Sequence, residues 1–332
     1  MVKHISNLVF EGGGVLGIAY LGVLDYLSRN DLMNNIMRTA GASAGAIAAC
    51  ITSFRLPFEE VKSIAESLNY RKIPDRNGIV GAGILPEDNA SIGELSLDDL
   101  ICLYRLISRY GWYSSEYFYQ WIRKVIADQF TNEKQPPYTF EDFQNSSLHK
   151  DNRSFLALFL TGTNLTAGTS QVFSFDTTPA MEVAEAVRIS MSIPLFFEAI
   201  TIKQYDITGN RQNNFYCDGG VLNNYPIRLF DSGAFHSDPV RGANMETLGV
   251  RFMSRKQTFR INNLLDYIWS LVHTSGRVQQ EEYYSSPMDR IRSVNIDSLD
   301  LSPVDFNVSP NDETYQKLYY QGYSAAQAYF MN

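Results

Sequence analysis

Gly41-Ala42-Ser43-Ala44-Gly45 follows the apolar stretch Ile36-Met37-Arg38-Thr39-Ala40 and precedes the small-residue run Ala46-Ile47-Ala48-Ala49-Cys50. Read as strand, turn and helix, this is a nucleophile elbow. A serine at a sharp strand-to-helix turn has its hydroxyl held out of the fold, and the flanking Gly41 and Gly45 let the backbone turn without a Cβ collision. The first N–H groups of the helix then point at any oxyanion formed there. Small residues at this spacing also occur where a helix packs closely on a sheet, so the five residues alone do not choose between the two readings.

A second glycine cluster, Glu11-Gly12-Gly13-Gly14-Val15-Leu16-Gly17, follows the predicted strand Ile5 to Phe10 and opens the apolar-periodic segment Leu16 to Leu27. One β-α-β unit then carries both loops. A right-handed crossover between parallel strands puts their ends side by side at the carboxyl edge of the sheet, which brings Gly13 and Gly14 next to Ser43. Their amides are suited to hold the negative oxygen of a tetrahedral acyl intermediate. Gly12, Gly14 and Gly17 also satisfy the spacing of a dinucleotide loop. That loop needs an acid at the end of the second strand to bind the ribose, and here the second strand ends in Gly41-Ala42-Ser43, with the nearby Asp31 placed before it.

The third cluster is Asp218-Gly219-Gly220, after Phe215-Tyr216-Cys217. Aspartate before two glycines is compatible with a plain turn. Beside an exposed serine it is also compatible with a base, because a carboxylate at a strand end on the same sheet edge can accept the serine proton directly. Of the four histidines, His4 precedes the first strand, His149 lies in a polar stretch with Lys150 and Asp151, and His236 falls in a Gly/Ser/Asp segment. His273 is left as a rival base, but it sits in Leu264 to Tyr284, where Leu264, Leu265, Ile268, Leu271 and Val272 recur at helical spacing. A face residue of a helix is a poor triad member, so a Ser43–Asp218 dyad is preferred.

The three signatures together resemble the patatin-like phospholipases, a family of lipid acyl hydrolases with a Ser-Asp dyad. The glycine-rich oxyanion loop, G-x-S-x-G and D-G-[GA] stand in family order. Weaker echoes are Tyr138-Thr139-Phe140-Glu141-Asp142-Phe143 and Ala186-Val187-Arg188-Ile189-Ser190-Met191-Ser192-Ile193-Pro194. The resemblance implies an α/β fold, a patatin-like three-layer α/β/α with a mainly parallel central sheet. It also implies one catalytic domain over 1–332, with a motif core at about 5–230 and segment 231–332 packed on it. Site residues carried over are Ser43 as nucleophile, Asp218 as base, Gly12, Gly13 and Gly14 as oxyanion hole, Gly41 and Gly45 at the elbow, and Gly219 and Gly220 in the supporting turn. Many members place a cation where this chain has Leu16, which leaves the choice between phospholipid and neutral lipid open. Arg188 is a candidate substitute cation, although an arginine near a helix C-terminus also satisfies carbonyls.

Composition fits a globular enzyme. The 332 residues are 45% hydrophobic and 19% charged, enough for a large core, and no linker, charge block or repeat divides them. A net charge of −8 argues against a nucleic-acid surface and gives no general attraction to anionic lipid, so any membrane contact is peripheral, local and apolar. Cys50, Cys102 and Cys217 each lie in an apolar run and read as buried thiols. No signal peptide and no membrane span is recognised, so the expected place is the cytoplasm, with export by a route lacking a cleaved signal left open. No zinc or calcium motif is seen, and neither metal nor cofactor is expected.

Further elements follow from periodicity: helices at Phe58 to Leu68, Leu100 to Ile107 and Tyr117 to Phe130, strands at Phe155 to Leu160, Gln171 to Phe175, Thr247 to Met253 and near Ile291 to Ile296, and a final helix from Thr314 to Phe330. Arg71 to Ser96, with four glycines and two prolines, reads as a flap near the elbow. Tyr113, Tyr117, Phe118, Tyr119 and Trp121 are either core or a lipid-facing cap. Two rival functions stand beside the hydrolase: a non-catalytic binding module on the same scaffold, and an α/β-hydrolase esterase using His273.

Overall fold

The computed structural model describes residues 4–75, 97–205, 211–235, 242–253, 261 and 264–331. In chain order the elements are β1 (Asn7–Phe10), α1 (Ala19–Arg29), β2 (Arg38–Ala42), α2 (Ala44–Ser53), α3 (Phe58–Glu66), α4 (Leu97–Arg109), β3 (Gly111–Tyr113), α5 (Glu116–Ala127), β4 (Ala157–Asn164) and β5 (Thr169–Phe173). They continue with α6 (Val183–Ser190), β6 (Leu195–Phe197), β7 (Ile200–Tyr205), β8 (Arg211–Asp218), α7 (Gly220–Asn223), β9 (Thr247–Met253), α8 (Leu264–Ser285), α9 (Pro287–Ile291), β10 (Ser293–Asp297) and α10 (Glu313–Met331).

The main sheet has the order β10-β9-β1-β2-β4-β8-β7, with β5 also on β4. From β10 to β4 all pairs are parallel, while the pairs β4–β8, β8–β7 and β4–β5 are antiparallel. β1 alternates Leu8 and Phe10 toward one face and Val9 toward the other, the two-residue period of a strand buried on both sides. Leu8 and Phe10 join the large core with residues of α1, α2 and α10. Val9, Ala40 and Phe159 join Phe230, with Tyr225, Leu229 and Phe235 packed around them, on the opposite face. Helices and turns thus cover both faces of an α/β sheet, as expected.

Register places the loops. Phe10 of β1 pairs with Gly41 of β2, and Gly41 pairs with Leu160 of β4, so the segments after β1 and β2 emerge side by side. β8 reaches the same edge from the opposite direction: it overlaps β4 at three positions, ending with Asp218 opposite Gly162.

The predicted helix start at Leu16 is a tighter turn, Gly14–Ile18 being 3-10 before α1 begins. The β7–β8 hairpin was not anticipated. Most of the predicted flap, 76–96, lies outside the described residues, as does His236. The aromatic cluster is mostly structural: Tyr113 and Phe118 are buried, and the Tyr119 hydroxyl donates to Glu182. All three cysteines are buried, with burial pushing the Cys217 thiol up to about 12. Among the described residues no helix is long and apolar enough to cross a membrane.

Candidate active site

Ser43 caps the N-terminus of α2 at φ 52°, ψ −125°, a left-handed conformation that a residue with a side chain occupies only when its surroundings enforce it. The enforcement is steric closeness on both sides. A Cβ on Gly41 would come 2.1 Å from the Gly45 carbonyl oxygen, and one on Gly45 would come 2.4 Å from the Phe10 oxygen. The Ser43 hydroxyl donates to Asp218 Oδ2 at 2.6 Å. Its backbone N–H donates to Ser190 Oγ at 2.9 Å, and the Ser190 hydroxyl donates in turn to the Thr161 carbonyl at 2.6 Å.

Asp218 ends β8 and is fixed at every polar atom of its main chain. Its N–H donates to the Ser192 carbonyl at 2.8 Å, and its own carbonyl accepts from the Thr163 hydroxyl at 2.9 Å. Its second carboxylate oxygen accepts the Gly220 N–H at 2.6 Å. Burial pushes its pKa up to about 7, and the hydrogen bonds from Ser43 and Gly220 pull the other way without cancelling the desolvation. Gly219 and Gly220 form the turn behind it, Gly219 against the Thr161 backbone.

The glycine loop touches Ser43: a Cβ on Gly12 would meet the Ser43 Cβ at 2.9 Å. The three loop amides are not equivalent. The Gly12 N–H donates to the Asn224 carbonyl at 2.9 Å, while Asn224 Nδ2 donates back to the Gly12 carbonyl at 3.1 Å. Gly12 is therefore a clamp point and not a free donor, contrary to the sequence expectation of three oxyanion glycines. Among the described residues the Gly13 and Gly14 N–H groups have no partner. Gly14 has φ +55° and lies on the Pro303 carbonyl, which also accepts the Val15 N–H at 2.9 Å. Behind the loop, Glu11 accepts the Phe252 N–H at 2.8 Å and faces Arg251 at 3.5 Å. Burial raises the Glu11 pKa, with Arg251 opposing.

Two cavities meet at Ser43. One is almost wholly apolar and runs between α1, α2 and α3, past Leu21, Leu24, Ala48, Ile51 and Ala65. The other is mixed, walled by the glycine loop, Asp218, Asn224, Arg251, Arg277 and Gln280. Leu16 lines this second cavity yet is only 4% exposed, so it is as much a core residue as a wall.

Arg188 stands apart. Its guanidinium donates to Glu198 at 2.8 Å and to Ser115 Oγ at 2.7 Å, lies over the Tyr119 ring, and lines neither cavity. A substrate cation is not available from it in this arrangement. His149 is buried, bonded to the Arg153 and Asp142 carbonyls and stacked on Phe155 at 3.5 Å, with burial lowering its pKa. His273 belongs to α8, and its side chain lies outside the described residues. Asp31 sits in the turn after α1. Among the described residues no group of three or more His, Cys, Asp or Glu could hold a metal ion.

Sequence reading missed Ser190, Thr161, Asn224 and Gln279. Gln279 of α8 donates to the Gly220 and Val221 carbonyls and accepts the Asn224 N–H. Ser190 belongs to the segment Ala186 to Pro194, and its contact with Ser43 joins residues 147 positions apart.

The chain is similar to several known proteins. An uncharacterized protein of Acanthamoeba polyphaga mimivirus is 26% identical over 323 residues, covering 94% of this chain and 90% of its own. A probable lipid hydrolase of Invertebrate iridescent virus 6 is 27% identical over 231 residues, covering 68% of this chain and 63% of its own. Among solved structures, VipD from Legionella pneumophila superposes with a TM-score of 0.57 at 20% identity, over 99% of this chain and 67% of that one, a likeness of fold. The sequence model described as Patatin-like phospholipase matches residues 8–231, which include the glycine loop, the Ser43 elbow and the Asp218 turn. The chain belongs to the patatin-like phospholipase family.

Proposed function

We propose that the protein is a serine acyl hydrolase that releases fatty acid from phospholipid or other lipid acyl esters through a Ser43–Asp218 dyad. The observation that carries this reading is the 2.6 Å hydrogen bond from the Ser43 hydroxyl to a buried carboxylate whose pKa stands near 7. A base poised near neutrality accepts a proton and returns it with little free-energy difference. The family membership and the lipid hydrolase relative support the substrate class.

In the first half-reaction the Ser43 proton passes to Asp218 as Oγ bonds to the ester carbonyl carbon. The amides of Gly13 and Gly14, which need not break other bonds, receive the oxyanion. Collapse breaks the bond to the alcohol oxygen, which takes the proton back from Asp218. Water then gives one proton to Asp218 as its oxygen bonds to the acyl carbon; collapse breaks the bond to Ser43 Oγ, which takes that proton back from Asp218, and the fatty acid is released. The lipid is met by peripheral contact.

A fluorophosphonate probe followed by peptide mapping tests the nucleophile. Label on Ser43, lost in Ser43→Ala together with ester hydrolysis while the melting curve is kept, is the expected result. Label on another residue removes Ser43 from the mechanism, and His273→Ala costing as much as Asp218→Asn replaces the dyad with a triad.

A further inference from the structure

The short helix α7, Gly220–Asn223, stands between the two halves of the site. At its start the Gly220 N–H donates to Asp218 Oδ1 at 2.6 Å. Just past its end the Asn224 carbonyl accepts the Gly12 N–H at 2.9 Å, and Asn224 Nδ2 donates to the Gly12 carbonyl at 3.1 Å. A helix this short has little stability of its own, because its backbone groups all fall at a terminus. Building on the acyl-hydrolase reading, we propose that Gln279 of α8 is a positioning residue for the reaction, whose side-chain amide holds the Asp218 turn and the glycine loop in one fixed arrangement.

The amide stands where a helical bond would run. An α-helix joins the carbonyl of one residue to the N–H four residues on. Here the Gly220 carbonyl accepts from Gln279 Nε2 at 3.1 Å, and the Asn224 N–H donates to Gln279 Oε1 at 2.7 Å. The same Nε2 donates to the Val221 carbonyl at 3.2 Å, so both amide hydrogens and the amide oxygen are engaged by backbone. Only one orientation of the amide satisfies these partners. Among side chains of similar length, ionised glutamate only accepts, lysine only donates, and methionine does neither well. Gln279 borders the mixed cavity, yet with its polar atoms engaged in this way it acts on the reaction through Asp218 and Gly12.

Gly220 needs such a restraint. Without a side chain its backbone rotates freely, and holding its carbonyl also keeps its N–H aimed at the Asp218 carboxylate. α8 is anchored one turn further along the same face. The Arg251 guanidinium lies over the Tyr283 ring, 3.7 Å from its centre, and faces Glu11 at the head of the glycine loop at 3.5 Å. Gln279 falls beyond residue 231, where the family match ends, so a segment outside the three motifs holds two of them together.

Gln279→Met keeps the length of the side chain and removes its bonds to Gly220, Val221 and Asn224. With 4-nitrophenyl butanoate as substrate, kcat is expected to fall ~10-fold with KM little changed, since the reacting groups lose their alignment. The acid limb of kcat/KM is expected to move to higher pH by about half a unit or more, because the hydrogen bond from Gly220 that favours the ionised carboxylate weakens. Gln279→Asn presents the same groups about 1.5 Å short of their partners, so it must move both readings in the same direction and carries the test if Gln279→Met folds poorly by thermal melting. Carbon NMR of the Asp218 carboxyl, followed against pH, reads the arrangement without the chemistry, and its midpoint is expected to rise in both variants. A lowered melting temperature with kcat, KM and both pH midpoints unchanged overturns the positioning role and leaves the hydrolase standing. An NMR midpoint that rises in the variants, with no hydrolysis of any ester by the native chain, overturns the hydrolase and leaves the grip of Gln279 on the Asp218 turn standing.

Discussion

The backbone N–H of Ser43 donates to the Ser190 hydroxyl at 2.9 Å, so this amide is committed to the fold. Ser190 passes the bond on to the Thr161 carbonyl of β4. Ser190→Ala strips a buried donor and a buried acceptor of their partner, which costs ~1–3 kcal/mol of stability. Turnover is expected to fall ~10-fold as well, because the strained turn at Ser43 loses a restraint. Denaturant midpoints measured beside kcat check both halves; lowered stability with unchanged kcat would leave Ser190 a packing role only.

The burial of Asp218 sets the pH dependence in two opposite senses. As a base it must be ionised, so kcat/KM is expected to rise with pH through about 7, the value to which burial pushes it. Stability moves the other way. The folded chain keeps this proton up to about pH 7, whereas the unfolded chain releases it near 3.8, so the contribution is full below pH 3.8 and is lost as pH rises to 7. Asp218→Asn, which abolishes the charge, should therefore melt higher than the native chain at pH 8 and match it near pH 4. Thermal melts at the two pH values decide; equal melting temperatures at pH 8 would show that the carboxylate is not held against its charge.

At Gly13 a side chain is opposed by the Phe252 ring, 2.4 Å from where a Cβ would stand. Gly13→Val must move that ring or tilt the amide. Turnover is expected to drop ~10²-fold, the scale of losing one oxyanion donor. A fluorophosphonate should still label Ser43, slowly. Full turnover in Gly13→Val removes this amide from the oxyanion site.

Leu16→Arg is expected to destabilise. Leu16 is almost fully buried in the main core although it borders the mixed cavity, and an unpaired guanidinium there is costly. Hydrolysis of phospholipid and of a neutral short-chain ester should fall together with the melting temperature. A folded variant with a raised phospholipid ratio that shrinks as salt is added would instead give position 16 a headgroup role.

The candidate site is readable in the sequence where chemistry needs a residue type at a fixed local turn. Ser43, Asp218 and the glycine loop announced themselves because only glycine fits the close approaches around them, and the flanking strands β1 and β2 carry continuous apolar runs. The β7–β8 hairpin was not readable, since Asn213 and Asn214 interrupt its pattern and polar residues dominate one side. Asn224 and Gln279 stayed hidden for a different reason. They act through backbone bonds across 212 and about 55 positions of sequence, and no local spacing encodes such contacts. The same holds for Arg188, whose motif context suggested substrate while Glu198, ten residues on, claims its charge.

β1 lies between β2 and β9, and β9 falls after residue 231, where the family match ends. A chain stopped at 231 would keep Ser43, Asp218 and every glycine of the loop, yet β1 would become a boundary strand. Its Leu8, Val9 and Phe10 would lie along a row of unsatisfied N–H and C=O groups, a template for another molecule's strand. Such a fragment is expected to self-associate, running as aggregates in size-exclusion chromatography where the native chain does not.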